Sequence, residues 1–570
     1  MAIFSFDSSH LLGRVREVDT RKVSILVESD EDLRKARVGQ LVALRLTGAV
    51  EAWLIGIIEK VSKSVGQEQV KEPIEIPQET TINNVRLTLV GTVKWDAKKQ
   101  KSIFSRSMSH VPDIEAACHI LRDKQLENFM GVLSVEGEKE NSLELGKYTI
   151  DENAKAFLDG NKLFQRHAAL VGSTGSGKSW AVASILEMAA KLPSSNLIVF
   201  DLHSEYRELS YARHLRIPGP EELGISSDHL LYLPYWLLNA EEMQAMFIDR
   251  SEFSAHNQVM AFQDAVIQQK KATLSRLDKT DVLAAFTLDS PIPFSIGAVI
   301  DTLNNLNEEM EQGARGLKQG KFYGQFSRLL TRLRSRLSDK RYGFLFQAPD
   351  SEHQYDTMGN IAGKLMDYAT KSAQIKVIDF SEVPADILPV IVSLVARIIY
   401  QVQFWTDHDK RHPLAFICDE AHLYLPDKEG QNPIVTRAIE AFEKIAKEGR
   451  KYGVALLVIS QRPSDVSTTI LSQCNNVIAL RLTNAEDQNT VKKLMPESLE
   501  SILDALPILD IGEAMVVGDA VLLPSRIRIN PPVEKPLSTT IDFWTEWQQK
   551  VDKPNFAKAV ENMRRQGRNK

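Results

Sequence analysis

The stretch Gly172-Ser173-Thr174-Gly175-Ser176-Gly177-Lys178-Ser179 satisfies G-x-x-x-x-G-K-[ST] at every fixed position. Apolar Ala168, Ala169, Leu170 and Val171 precede it, and a helical pattern runs from Trp180 to Lys191. Strand, loop and helix follow one another as a phosphate-binding loop requires. Glycine lets the backbone curl until successive N–H groups point inward at phosphate oxygens, aided by the positive end of the helix. Gly172 to Ser179, with Trp180 directly behind them, form the expected nucleotide-binding set. Lys178 is expected at the β- and γ-phosphates, and the Ser179 hydroxyl on Mg²⁺.

The rest of the chain is read around a nucleoside triphosphate held there. At 570 residues it is too long for one ordinary core. Hydrophobic content of 43% and charged content of 25% describe a globular protein. The net charge of −6 does not mark a nucleic-acid binder, yet a ring-shaped machine can confine its basic groups to a channel. Cys118, Cys418 and Cys474 lie far apart without metal-ligand spacing, which favours a reducing compartment. Met1 to Arg14 lacks the basic and apolar regions of a signal peptide. The greasiest later run, Ile387 to Tyr400, is broken by Pro389 and Arg397 and is too short to span a bilayer. The expectation is a cytoplasmic protein with no membrane partner.

Taken in order, residues 1–113 read as short strands separated by turns: Leu11–Val18, Val23–Glu28, Leu41–Leu46, Trp53–Val61 and Val85–Trp95. Such spacing suggests a small β-barrel. Lys94, Lys98, Lys99, Lys101 and Arg106 form a basic patch, either a solvated loop or a nucleic-acid contact. Residues 114–161 read as a connector, helical from Pro112 to Gly131. The α/β core occupies 162–236 and 342–535, interrupted by a helical insertion at 237–341. In the insertion, Arg328, Arg332 and Arg336 share one helix face behind the Gly- and Lys-rich stretch Gly313–Lys321. That face is either solvated or turned toward DNA phosphates. Residues 536–570 read as a C-terminal helix and a basic tail, Met563 to Lys570.

The catalytic candidates fall at strand ends, where open parallel sheets bind ligands. Leu197–Asp201 reads as a buried strand running into His203, Ser204, Glu205 and Tyr206. Leu414–Cys418 reads as another, ending in Asp419 and Glu420. Asp419 suits a Mg²⁺ ion held through water, and Glu420 is placed to orient and deprotonate an attacking water. Gln461, after the strand Val454–Ser460, is either a γ-phosphate sensor or a satisfied amide. Arg450 follows the helix Pro433–Glu448, with Gly449 read as its C-terminal stop. A cation there is favoured by the helix dipole alone; the alternative is an arginine finger offered to a neighbouring subunit. His203, His422 and Glu205 show no transition-metal spacing.

The motifs together resemble the HerA family, within the group that contains the FtsK-type DNA pumps. The resemblance rests on GSTGSGKS at 172–179, FDLHSEY at 200–206 and CDEAH at 418–422. EGRKYG at 448–453, ISQRPSD at 459–465 and the ending from Leu471 to Asn530 strengthen it. It implies a RecA-like P-loop ATPase core with an N-terminal barrel of the HAS type and a helical insertion. It further implies ATP with Mg²⁺, a homohexameric ring, and translocation of double-stranded DNA. Lys178, Ser179, Asp419, Glu420, Gln461 and Arg450 match the family's nucleotide-site positions. Family members act with a nuclease or another effector, a sirtuin-like enzyme among the candidates, in DNA end processing or anti-phage defence. The competing expectation is a nucleotide-regulated ring scaffold that activates an effector with little translocation. The sequence shows no second catalytic centre, so any nuclease or NAD-degrading activity is expected in another chain.

Overall fold

The computed structural model describes residues 3–46, 52–67, 79–108, 110–137, 140–313, 316–427, 433–495, 497–538, 542–549 and 556–565. The end of the basic tail, with Arg568 and Lys570, lies outside them. The chain forms two compact units, Met1–Met188 with Leu457–Ser464 and Leu471–Val533, and Ala189–Leu456 with Asp465–Ile470 and Glu534–Lys570.

The first unit opens with the expected barrel. Its strands are β1 (Leu11–Asp19), β2 (Lys22–Val27), β3 (Leu41–Arg45), β4 (Ala52–Gln67), β5 (Glu79–Asp96), β6 (Lys101–Ser105) and β7 (Ala117–Ile120). The order β2-β1-β7-β3-β4-β5 closes because β5 pairs again with β2, Lys22 opposite Thr88 through Val27 opposite Asn83. Closure removes every edge from the ring, and β6 pairs beyond it on β5. Inward alternation buries Val15, Val23, Ile25, Leu54, Val85 and Leu87 in one core. The strand β5 bears Gly91, where a Cβ would lie 2.5 Å from the Ser105 carbonyl oxygen, so only glycine allows the approach.

Two expectations fail in this unit. Ala117–Ile120 is a strand, not helix, because Cys118 and Ile120 are drawn into the barrel core between β1 and β3. The helix starts only at Asp123 and runs to Gly137. Residues 114–161 are therefore no helical connector. They hold the last barrel strand, that helix, and a hairpin of Ser142–Tyr148 with Asp151–Asp159. The basic patch is also resolved into parts. Lys98 and Lys99 donate backbone N–H groups to Asp96 in the β5–β6 turn, while Arg106 Nη1 donates to the Gly518 carbonyl at 2.6 Å.

Beyond the hairpin, the first unit builds a sheet around Ala168–Val171. This strand runs parallel to Leu457–Ser460 on one side and to Asn476–Ala479 on the other. Glu513–Gly518, Ser525–Ile529 and the hairpin then continue the sheet antiparallel.

The second unit is centred on four parallel strands in the order Arg213–Arg216, Ile375–Asp379, Leu197–Asp201 and Leu414–Cys418. Leu197–Asp201 and Leu414–Cys418 are buried on both faces, as parallel strands are, while Arg213–Arg216 buries only Leu215 at the edge. The helix Leu388–Trp405 has 18 residues and a mean hydropathy of 1.5. It is longer than the sequence run suggested, and by length and composition it is able to cross a membrane. With 67% of it buried inside the fold, it is a core helix.

The insertion contains the helices Ala240–Phe247, Ala255–Arg276, Thr280–Ala285, Ile296–Glu308 and Ser327–Ser338. Gly313–Lys321 is not a plain loop: Met310–Gly313 and Gly316–Gln319 pair as a hairpin. Of the three arginines on that face, Arg328 is exposed, while Arg332 and Arg336 have partners within the fold. Arg332 donates to the Phe247 carbonyl at 2.9 Å and to Glu252 at 2.6 Å. Arg336 pairs with Asp386 at 3.0 Å and stacks over the Tyr342 ring. Arg332 and Arg336 thus serve the fold, each paired with a carboxylate, Glu252 and Asp386. Gly449 is likewise reassigned. A Cβ there would sit 2.6 Å from the Val454 carbonyl oxygen, and it is Gly453, at φ 71°, that makes the left-handed turn.

Candidate nucleotide-hydrolysis site

In the first unit, the phosphate loop leaves the strand Ala168–Val171 and enters the helix Lys178–Ala190. Gly175 and Gly177 adopt φ of 72° and 102°, a region that side-chain-bearing residues avoid. At Gly172 a Cβ would lie 2.6 Å from the Ser176 hydroxyl, so the loop closes on itself only with glycine there. Ser173 N–H donates to the Arg481 carbonyl at 2.8 Å, and Gly512 N–H to the Ser176 carbonyl at 3.0 Å. Backbone on both sides thus fixes the curl. Lys178 is buried at 8% exposure and donates to the Ser173 carbonyl at 3.3 Å, so its ammonium spans the loop. Ser179 is half-buried and Trp180 exposed. A cradle that a Cβ would fill, with a buried cation across it, fits a nucleotide polyphosphate.

Gln461 stands beside this loop. The strand register pairs Val171 with Ser460, and the Gln461 side-chain carbonyl accepts from the Thr174 hydroxyl. The amide is therefore paired, and its partner belongs to the phosphate loop. Sequence spacing of 287 residues concealed that pairing.

The acidic residues gather in the second unit. Register places Phe200 opposite Cys418 and Asp201 opposite Asp379, so the strand ends bring Asp201, Asp379 and Asp419 side by side. Asp419 and Glu420 are buried at 7% and 6% exposure. Glu420 sits at φ 47° in the left-handed region, uncommon for a glutamate and typical of strain held at a functional turn. His422 Nδ1 lies 3.4 Å from Glu420 Oε2. Burial, then the charges of Glu420 and Glu205, push the Asp419 carboxyl up to about 8. Burial likewise raises Asp201 to about 6, although N–H groups of Tyr206, Glu205 and His203 pull the other way.

This crowd of carboxylates is costly by itself, and a divalent cation would relieve it. Its hard oxygen donors fit Mg²⁺ rather than a thiolate- or imidazole-seeking metal. Among the described residues, no three or more His, Cys, Asp or Glu form a self-sufficient metal cage. Tyr206, which the sequence reading left without a role, donates its hydroxyl to Asp419 at 2.9 Å. Arg450 is exposed in the turn Gly449–Tyr452.

The family model described as the helicase HerA central domain matches residues 143–399, and the helicase HerA-like C-terminal model matches 389–536. The chain belongs to the HerA family. It is therefore an ATPase built on a P-loop α/β core. The DNA double-strand break repair helicase HerA of Pyrococcus furiosus is 26% identical over 421 residues, covering 68% of this chain and 69% of that one. Its namesake in Saccharolobus solfataricus is 24% identical over 446 residues and 77% of each chain. Among solved structures, VirB4 of Thermoanaerobacter pseudethanolicus aligns with a TM-score of 0.43 at 17% identity, covering 69% of this chain and 97% of that one. The bacterial conjugative coupling protein TrwB aligns at 0.43 and 12% identity, covering 72% and 93%.

Proposed function

We propose that this HerA-family chain is the motor subunit of a homohexameric ring that hydrolyses ATP to move double-stranded DNA. The observation that carries the catalytic half of this reading is the buried Asp419–Glu420 pair, held at a strand end with Glu420 in a strained conformation. The phosphate loop supplies the complementary half, with its glycine-dependent curl and buried Lys178. By motif logic Ser179 and Asp419 are each read as residues that would hold Mg²⁺, an ion that would neutralise phosphate charge when bound. Glu420 orients a water and takes its proton, and Lys178 holds terminal phosphate oxygens. Gln461, tied to Thr174, reports on the phosphate end of the loop. Family membership and the break-repair helicase names of the relatives support DNA as the track. The ring's effector is read as a nuclease or another enzyme, working in DNA end processing or anti-phage defence.

Linear duplex DNA is expected to stimulate ATP hydrolysis, and the ring to strip a triplex-forming strand from that duplex in an ATP-dependent way. ATP-dependent capture of an effector, without DNA stimulation or strand displacement, would establish the scaffold reading instead.

Arg450 is assigned to the neighbouring subunit's nucleotide. Arg450→Ala and Lys178→Ala rings should each be inactive, for different reasons. Mixed one to one, about one interface in four joins an intact loop to an intact arginine, by random assembly around a closed ring. Hydrolysis is expected to recover toward that fraction. Mixed rings as inactive as their parents, with subunit exchange demonstrated, would remove Arg450 from that role.

A further inference from the structure

We infer that Tyr206 is a positioning residue that orients the Asp419 carboxylate for its metal. Tyr206 is fully buried, and its hydroxyl donates to Asp419 Oδ2 at 2.9 Å. The Glu420 backbone N–H donates to Asp419 Oδ1 at 3.0 Å. Each carboxylate oxygen thus has its own donor, one from a distant strand end and one from the next residue. Rotation of the carboxylate breaks at least one of these bonds, so its plane is fixed before any ligand arrives.

The tyrosine is itself held by a purpose-built turn. Asp201, at the end of its strand, accepts three backbone N–H groups, from His203 at 3.2 Å, Glu205 at 3.1 Å and Tyr206 at 3.0 Å. Ser204 takes φ 57° to make that turn, and its hydroxyl donates to Asp379 at 2.7 Å. The Leu537 N–H closes the far side on the Glu205 carbonyl at 2.7 Å. A core aromatic that only filled space would be served equally by phenylalanine. Burying a hydroxyl is costly unless it is hydrogen-bonded, and this one is spent on the acid read as the Mg²⁺ ligand. The inference rests on that reading of Asp419.

The test is Tyr206→Phe in the full chain, which keeps the ring and deletes the donor. Mn²⁺ affinity, read by electron paramagnetic resonance with a non-hydrolysable ATP analogue present, is expected to weaken about tenfold, as loss of a charge-assisted hydrogen bond implies. The Mg²⁺ concentration for half-maximal ATPase should rise by the same factor, while the rate at saturating Mg²⁺ and nucleotide binding in EDTA stay near wild type. In an Asp419→Asn background, Tyr206→Phe should add nothing to the metal defect, the signature of one coupled pair. Unchanged Mn²⁺ affinity, or a fall only in melting temperature, overturns the inference. If Asp419→Asn alone leaves Mn²⁺ affinity intact, the metal reading of Asp419 fails instead.

Discussion

Lys178→Ala is expected to lower kcat/KM for ATP by about 10³-fold or more, because a single preorganised donor to a charged transition state is commonly worth 10²–10³ and this one carries a full charge. The ammonium is buried at 8% exposure and already spans the loop to the Ser173 carbonyl, so little reorganisation is left to pay for when phosphate arrives. Alanine removes both the charge and its reach, while the glycine-built curl keeps its own backbone bonds. Lys178→Arg should not rescue, since a planar guanidinium does not fit a seat made for a compact ammonium. Phosphate release and binding of a fluorescent ATP analogue read the effect, with a melting curve to show that the fold persists. Turnover within about tenfold of wild type would place the essential cation elsewhere.

Glu420→Gln should separate binding from chemistry. The exchange keeps size and shape, and glutamine meets the φ 47° backbone at much the same cost as glutamate, so the change reports on the carboxylate. Loss of a positioned general base costs roughly 10²–10⁴ in rate. The expected outcome is a fall in kcat within that range, with ATP affinity preserved or tightened and the nucleotide trapped unhydrolysed. Relief of one negative charge beside Asp419 favours the tighter outcome. A variant that turns over normally would show that another group activates the water.

Legibility in the sequence followed the range of the interactions. The phosphate loop, the acid-tipped strands and most insertion helices were readable because their signals lie within a few neighbouring residues. Ala117–Ile120 is not legible as a strand, because four residues do not distinguish a helical from an extended pattern. Its partners β1 and β3 decide the matter. The hairpin at 142–159 pairs locally within itself, but the partner that holds it in the sheet, Ser525–Ile529, lies nearly four hundred residues downstream, and no local run marks that edge. Arg332 and Arg336 looked free on a helical wheel, which shows a face but not the acids packed against it. Gly449 and Gly453 were both visible, yet only the backbone showed which one turns left-handed.

The nucleotide chemistry of this protein was determined by the sequence alone. An eight-residue loop carries its own geometry, since the absence of Cβ atoms at Gly172, Gly175 and Gly177 is a property of the residues themselves. The orientation of Asp419 was decided only in the folded chain. Its donor, Tyr206, lies 213 residues away; the turn that presents it is local, but the hydroxyl reaches Asp419 only once the strands Leu197–Asp201 and Leu414–Cys418 are in register. Barrel closure through β2 and β5 belongs to the same class. Pairings at such separation are set by which apolar faces find burial together, and no local periodicity encodes that choice.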